Sequence, residues 1–230
     1  MKVVLFDIDG TLISKDSTEA NERERFRRGV ADEVGRSPPT APWLYDGMVD
    51  PEICRRLLLE VGLSAESIPE LLGRVILRVE TVYLEMEKRP VLNHGVDELL
   101  GILYASSDHR LGVLTGNLRA VAEQKLRLTG IHSYFAETFC SNGYFSRGDL
   151  VRDAIRDCVG RYGLRDKNSV VIVGDTPRDM EAARKNEAKA IGVATGFYTM
   201  GELQRAGATV VFRSLWPCNE LFETLGLEAS

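Results

Sequence analysis

The chain has little of what marks several common protein classes. Its four cysteines, Cys54, Cys140, Cys158 and Cys218, stand far apart with no CxxC spacing. Neither a zinc site nor a disulfide framework is supported, and free thiols in buried or partly buried places are expected. The three histidines, His94, His109 and His132, are isolated and match no metal-ligand spacing, so they read as structural or exposed. No apolar run approaches the roughly 20 residues that span a bilayer, and the first apolar segment meets Asp7 too early for the hydrophobic stretch of a signal peptide. A cytoplasmic protein without a membrane partner is expected. The formal charge of −5 leaves no basic excess of the kind that nucleic-acid binding through bulk electrostatics needs. Internal repeats and low-complexity tracts are also missing.

What is present is the composition of an ordinary globular protein, 44% hydrophobic and 27% charged over 230 residues, enough for one large domain or two modest ones. Short apolar runs at 2–6, 110–116, 169–175, 188–195 and 208–212 read as buried strands. Between the later ones lie segments with apolar positions at threes and fours, 117–130, 148–163 and 176–187. This alternation predicts an α/β fold with a parallel sheet and crossover helices. Residues 14–90 break the pattern: 17–35, 50–63 and 67–89 are helix-like, a proline-rich loop spans 36–43, and no strand is evident. They read as a helical insertion.

Three stretches end a strand in polar residues. In "DIDGT" Asp7 and Asp9 follow the first strand two residues apart. Adjacent carboxylates repel unless a proton or a cation intervenes, so a divalent metal or a shared proton is their natural companion; an ordinary Asp-Gly turn is the other reading. "GDTPRD" repeats the arrangement at Asp175 and Asp179. Strands of one parallel sheet open their carboxyl ends on one edge, where α/β proteins bind ligands, so four carboxylates converge there. Taken alone, the second pair also fits a helix cap and a first-turn acid. "VLTGN" brings Thr115, Gly116 and Asn117 to another strand end, a phosphate seat or plain turn chemistry.

In this order the three stretches resemble the haloacid dehalogenase-like (HAD) hydrolase superfamily, whose motifs are DxDGT, a strand-end Ser/Thr, and GDxxxD. The helices after the first motif are similar to the family's type I cap, and "DGMVDPEICRRLLLEVGL" at 46–63 with "LGVLTGN" looks like the phosphoglycolate phosphatase-like branch. The resemblance implies a Rossmann-like core (the HAD fold) from residues 1–14 and 91–230, with an α-helical cap at 15–90. It implies a phosphatase acting on a small phosphorylated metabolite through an aspartyl-phosphate, as a monomer or homodimer. Asp7 would be the nucleophile and Asp9 the general acid and base. Thr115, with the backbone of Gly116 and Asn117, would hold the phosphoryl group. Mg²⁺ would be held by Asp7, the Asp9 carbonyl, Asp175 and Asp179. The family's third motif, a Lys or Arg usually written "KP", has no counterpart here; Arg147 in "FSRGDL" is the candidate for that role in catalysis and phosphate binding, with Arg152 behind it.

Two rival readings share these motifs. A sugar phosphomutase of the same architecture keeps the nucleophile and the acid/base, and a phospho-receiver module also uses strand-end acids, a Thr and Mg²⁺. Asp9 speaks against a dehalogenase, which needs no second acid. In the insertion, "NERERFRRG" at 21–29 reads as a solvated helix face from which Phe26 turns inward. Lys15, Asp16 and Ser17, and "DGM" at 46–48, stand where a cap would touch substrate or simply link elements.

Overall fold

The computed structural model describes residues 1–39 and 45–227. Among them, six strands form one sheet: β1 (Lys2–Phe6), β2 (His109–Leu114), β3 (Glu137–Phe139), β4 (Val170–Gly174), β5 (Lys189–Val193) and β6 (Val210–Phe212). All neighbours are parallel, in the order β3-β2-β1-β4-β5-β6. A parallel sheet is buried on both faces, which is why β1 and β4 are continuous apolar runs. Their side chains alternate between two cores. Val4, Phe6, Val171 and Val173 face helices α4 (Val96–Ala105), α5 (Arg119–Leu128) and α9 (Asn219–Leu225). Val3, Leu5, Val170 and Ile172 face α6 (Arg147–Tyr162), α7 (Pro177–Lys185) and α8 (Met200–Arg205).

Because the chain winds outward on both sides of β1, the carboxyl ends of β1, β2 and β4 border one crevice, the switch point where ligands bind in such sheets. Three more helices lie over that edge: α1 (Lys15–Val34), α2 (Asp50–Glu60) and α3 (Ile68–Glu85). They have an apolar core of their own, formed by Phe26, Val30, Ile53, Leu57, Val75 and Val79. Gly29 permits it, since a Cβ there would stand 2.4 Å from Val79 Cγ2 and 2.8 Å from its Cα. The two crossings between helical layer and sheet are tied together: Ser14 N donates to Val91 O at 2.8 Å and Asn93 N to Leu12 O at 2.9 Å.

The anticipated strands are all present, most of them trimmed by a residue or two, and β3 is an addition. It is a three-residue edge strand of half-buried residues, too short to show a period. Helix α3 stops at Glu85, four residues before the expected end, because Lys88 folds back to donate to the carbonyls of Tyr83 and Met86 and so closes the last turn. Of the proline-rich loop at 36–43, residues 40–43 lie outside the described part. Cys54, Cys140 and Cys158 are buried free thiols, whereas Cys218 is exposed, because it precedes α9 at the surface. His109 is a structural residue, its ring bonded to Ser106 Oγ and Leu225 O. His94 stacks on Trp216 at 4.4 Å.

Candidate active site

Asp7 follows β1 directly, and its backbone N–H continues the ladder by donating to Val173 O at 2.9 Å. Beyond it the chain turns at Gly10, whose φ of 86° suits glycine. Asp175 follows β4 and is fully buried. Its Oδ1 accepts from Thr11 Oγ1 at 3.1 Å, while its Oδ2 is buried with no partner. Asp179 lies in the first turn of α7. Thr176, rather than Asp175, is that helix's N-cap and shares a reciprocal capping box with Asp179. Capping uses Asp179 Oδ2, and Oδ1 accepts from Arg147 at 2.6 Å.

Arg147 opens α6 and is buried beneath these acids. Its guanidinium also donates to Asp7 Oδ1 at 3.2 Å and to Leu114 O at 3.0 Å. Arg152, one turn further on, is exposed and pairs with Asp149 and Asp153. The structure thus brings Arg147 to the acids and leaves Arg152 outside.

Carboxylate oxygens of Asp7, Asp175 and Asp179 lie within 4.8 Å of one another. Burial pushes Asp7 up to about 7 against the pull of Arg147, and pushes Asp175 well above the carboxylate range. These groups fit a hard divalent cation: all donors are oxygens, and the Asp175 Oδ2 orphan is an acceptor without a proton donor. Glycines shape its surroundings, because a Cβ on Gly10 would fall 2.1 Å from that oxygen and one on Gly196 1.8 Å.

The Asp9 carboxylate points elsewhere. It lies outside the group formed by Asp7, Asp175 and Asp179, accepting from Lys125 Nζ at 2.6 and 2.8 Å and from Asn117 Nδ2 at 2.7 Å. Burial opposes its ionisation, but Lys125 and Lys15 outweigh that and hold Asp9 down to about 2. Lys125, on α5, is fully buried and also bonds Glu22 of α1 at 2.7 Å.

Thr115 is buried at the end of β2, and its Oγ1 accepts from Asn117 Nδ2 at 2.8 Å. The Asn117 side chain is therefore spent on Thr115, Asp9 and Lys125. Gly116 permits a close approach of the helical layer, since its Cβ would stand 2.2 Å from Met48 O, and its carbonyl accepts from Asp50 N. Asp50 in turn accepts from Leu118 N at 2.9 Å and pairs with Arg25 through both oxygens.

Arg25 corrects the reading of 21–29 as a solvated face. It is 1% exposed, held by Asp50 and Glu22, with its guanidinium 4.2 Å from the Phe26 ring centroid. Charge alternation hides this, because one side of such a helix still faces the neighbouring layer. Phe26 does turn inward. Of the residues at the crossing, Lys15 pairs with Asp46 and both line the cavity, Asp16 is exposed, and Ser17 Oγ bonds Ser14 O. Between sheet and helices lies a cavity of about 110 Å³, floored by Asp7, Asp9, Thr115 and Arg147.

Sequence reasoning missed Lys125, Glu22, Arg25 and Asp50. Lys125 had a signal: it shares the apolar stripe of α5 with Val121, Ala122 and Leu126, a position where an unpaired lysine is costly.

This parallel sheet gathers its acids at the carboxyl ends of its strands, where α/β proteins bind ligands. A family model for haloacid dehalogenase-like hydrolases matches residues 1–186, and the chain belongs to that family. It is similar to a phosphoglycolate phosphatase from Synechococcus elongatus, 28% identical over 204 residues, 86% of this chain and 85% of the relative. It is also similar to pyrophosphatase PpaX from Bacillus velezensis, 25% identical over 198 residues and covering 83% and 82%. The fold matches that of a hydrolase from Pseudomonas syringae with a TM-score of 0.73 at 23% identity, over 97% of this chain and 99% of that one.

Proposed function

We propose that the protein is a Mg²⁺-dependent phosphatase of small phosphomonoesters, with Asp7 as nucleophile and residues 15–90 as a helical cap over the site. The carrying observation is the meeting of Asp7, Asp175 and Asp179 around Arg147 on the cavity floor. The name of the phosphoglycolate phosphatase relative supports it, and that of the pyrophosphatase relative supports hydrolysis at phosphorus. In the first half-reaction Asp7 attacks phosphorus, the ester P–O bond breaks, and the leaving alkoxide takes its proton from Asp9. A dianionic phosphate beside Asp9 raises the pKa that Lys125 holds down, since like charge disfavours ionisation. In the second half Asp9 takes a proton from water, which attacks the phosphoryl group on Asp7 and frees phosphate.

Arg147 orients Asp7 through Oδ1, and Thr115 with the Gly116 and Asn117 backbone borders the phosphoryl seat. Asp7, the Asp9 carbonyl, Asp175 and Asp179 would hold the metal. When bound, Mg²⁺ supplies positive charge that offsets the repulsion among these acids and the phosphate. Helices α1, α2 and α3 restrict water at the floor. Among the described residues no helix is long and apolar enough to cross a membrane; we place the protein in the cytoplasm, as a monomer or homodimer.

Phosphate release from an aryl phosphate tests this reading. Wild type with Mg²⁺ is expected to turn over, and Asp7→Asn and Asp9→Asn to lose nearly all activity. A wild type inactive under every metal and substrate tried would contradict it.

A further inference from the structure

The floor of the cavity is polar, and its helical wall sets one apolar patch among paired charges. Phe26 of α1, Met48 of the loop before α2, and Ile53 and Leu57 of α2 face the space above Asp7 and Asp9, and all four are buried. A substrate that seats its phosphate on the floor can lay an apolar group against these side chains.

The charges bordering the cavity are already matched. Lys15 is paired with Asp46, Arg25 with Asp50 and Glu22, Arg147 with Asp7 and Asp179, and the half-exposed Arg23 with Glu19. Among the described residues, every cation lining the cavity faces a carboxylate, and six carboxylates line it against four cations. A carboxylate or second phosphate carried into this space would lose water without gaining an uncommitted side-chain cation, a costly transfer. An alkyl group would gain about 25 cal/mol for each Å² of apolar surface removed from water.

The enclosed space is about 110 Å³, so a small alcohol portion is held within it and a larger one extends through its open side.

We propose that the alcohol portion of the substrate is a small, uncharged, mainly apolar group, and that substrates carrying a second anionic group, a carboxylate as in 2-phosphoglycolate or a phosphate as in pyrophosphate, are disfavoured. This rests on the phosphatase reading and sharpens it to a substrate class.

The test is a pair of probes matched in shape. Isobutyl phosphate and 2-phosphoglycolate have the same branching pattern and differ in a pair of methyls against a carboxylate. Phosphate release is measured from both, and from pyrophosphate and a generic aryl phosphate, with wild-type protein and Mg²⁺. The expected kcat/KM for isobutyl phosphate exceeds that for 2-phosphoglycolate and pyrophosphate by ~10-fold or more. Met48→Lys, which sets an uncommitted ammonium in the wall, is expected to narrow that ratio. Equal or better turnover of 2-phosphoglycolate or pyrophosphate by wild type overturns the inference, as does cleavage of the aryl phosphate with none of the other three. Cleavage of no probe at all overturns the phosphatase reading, and the inference with it.

Discussion

Lys125 Nζ stands 2.6 Å from Asp9 Oδ2 and 2.8 Å from Oδ1, so the proposed proton carrier is held by a buried cation from α5. Glu22 of α1 accepts from the same ammonium, and Asn117 bonds both the lysine and Asp9. One cluster therefore joins the helical layer to the chemistry of the floor. Burial works against the charge on Lys125, but Asp9 and Glu22 keep it protonated.

Lys125→Met leaves Asp9 partly buried without its ion-pair partner, while Glu22 keeps Arg25. Loss of one partner of such a pair costs about 3–5 kcal/mol, to be read from denaturant unfolding, and kcat is expected to fall by ~10²-fold. Lys125→Arg keeps the charge and should recover part of both. If Lys125→Met keeps wild-type kcat, Lys125 does not position Asp9.

The two arginines at α6 should separate cleanly. Arg147→Ala strips Asp7 and Asp179 of their shared donor and is expected to lower kcat by ~10²–10³-fold. Arg152→Ala removes an exposed ion pair and should stay within about 0.5 kcal/mol of wild type with unchanged kinetics. Steady-state assays beside thermal melts check both.

Much of this site was legible because its residues follow strands, and strands announce themselves as apolar runs. Asp7, Thr115 and Asp175 follow β1, β2 and β4, and parallel pairing then forces those ends together whatever the loops do. Arg147 was within reach only as the basic residue before a helix. Nothing local linked it to Asp179, 32 positions away. Arg25, Asp50 and Lys125 were not singled out because their meaning depends on how α1 and α2 dock on α5, a tertiary choice that charge alternation on one helix does not encode. Edge strand β3 escaped for a simpler reason, three half-buried residues.

Gly196→Ala tests the metal site without touching a ligand. Its Cβ would lie 1.8 Å from Asp175 Oδ2, so the carboxylate must rotate away. The Mg²⁺ concentration for half-maximal activity is expected to rise by ~10–100-fold. Calorimetric Mg²⁺ titration provides a readout independent of turnover.

Metal binding and pH should be linked through Asp7. Its pKa rises from an unfolded value of about 4 to about 7 in the metal-free fold, so between those values the folded state binds more protons than the unfolded chain. This group's contribution to metal-free stability accordingly declines as pH rises through that window. Mg²⁺ favours the ionised carboxylate, so its effect on Tm should be larger at about pH 8 than at about pH 5. Equal shifts at both would separate Asp7 from the metal.

The central claim is that Asp7 carries the phosphoryl group, and the direct measurement is peptide mass spectrometry of protein quenched in acid during turnover of an aryl phosphate. The expected result is a phosphoryl adduct on the peptide containing Asp7, absent in Asp7→Asn and more abundant in Asp9→Asn if that variant slows release of the phosphoryl group more than its formation. An adduct on another residue, or rapid turnover by Asp7→Asn with none formed, would contradict it.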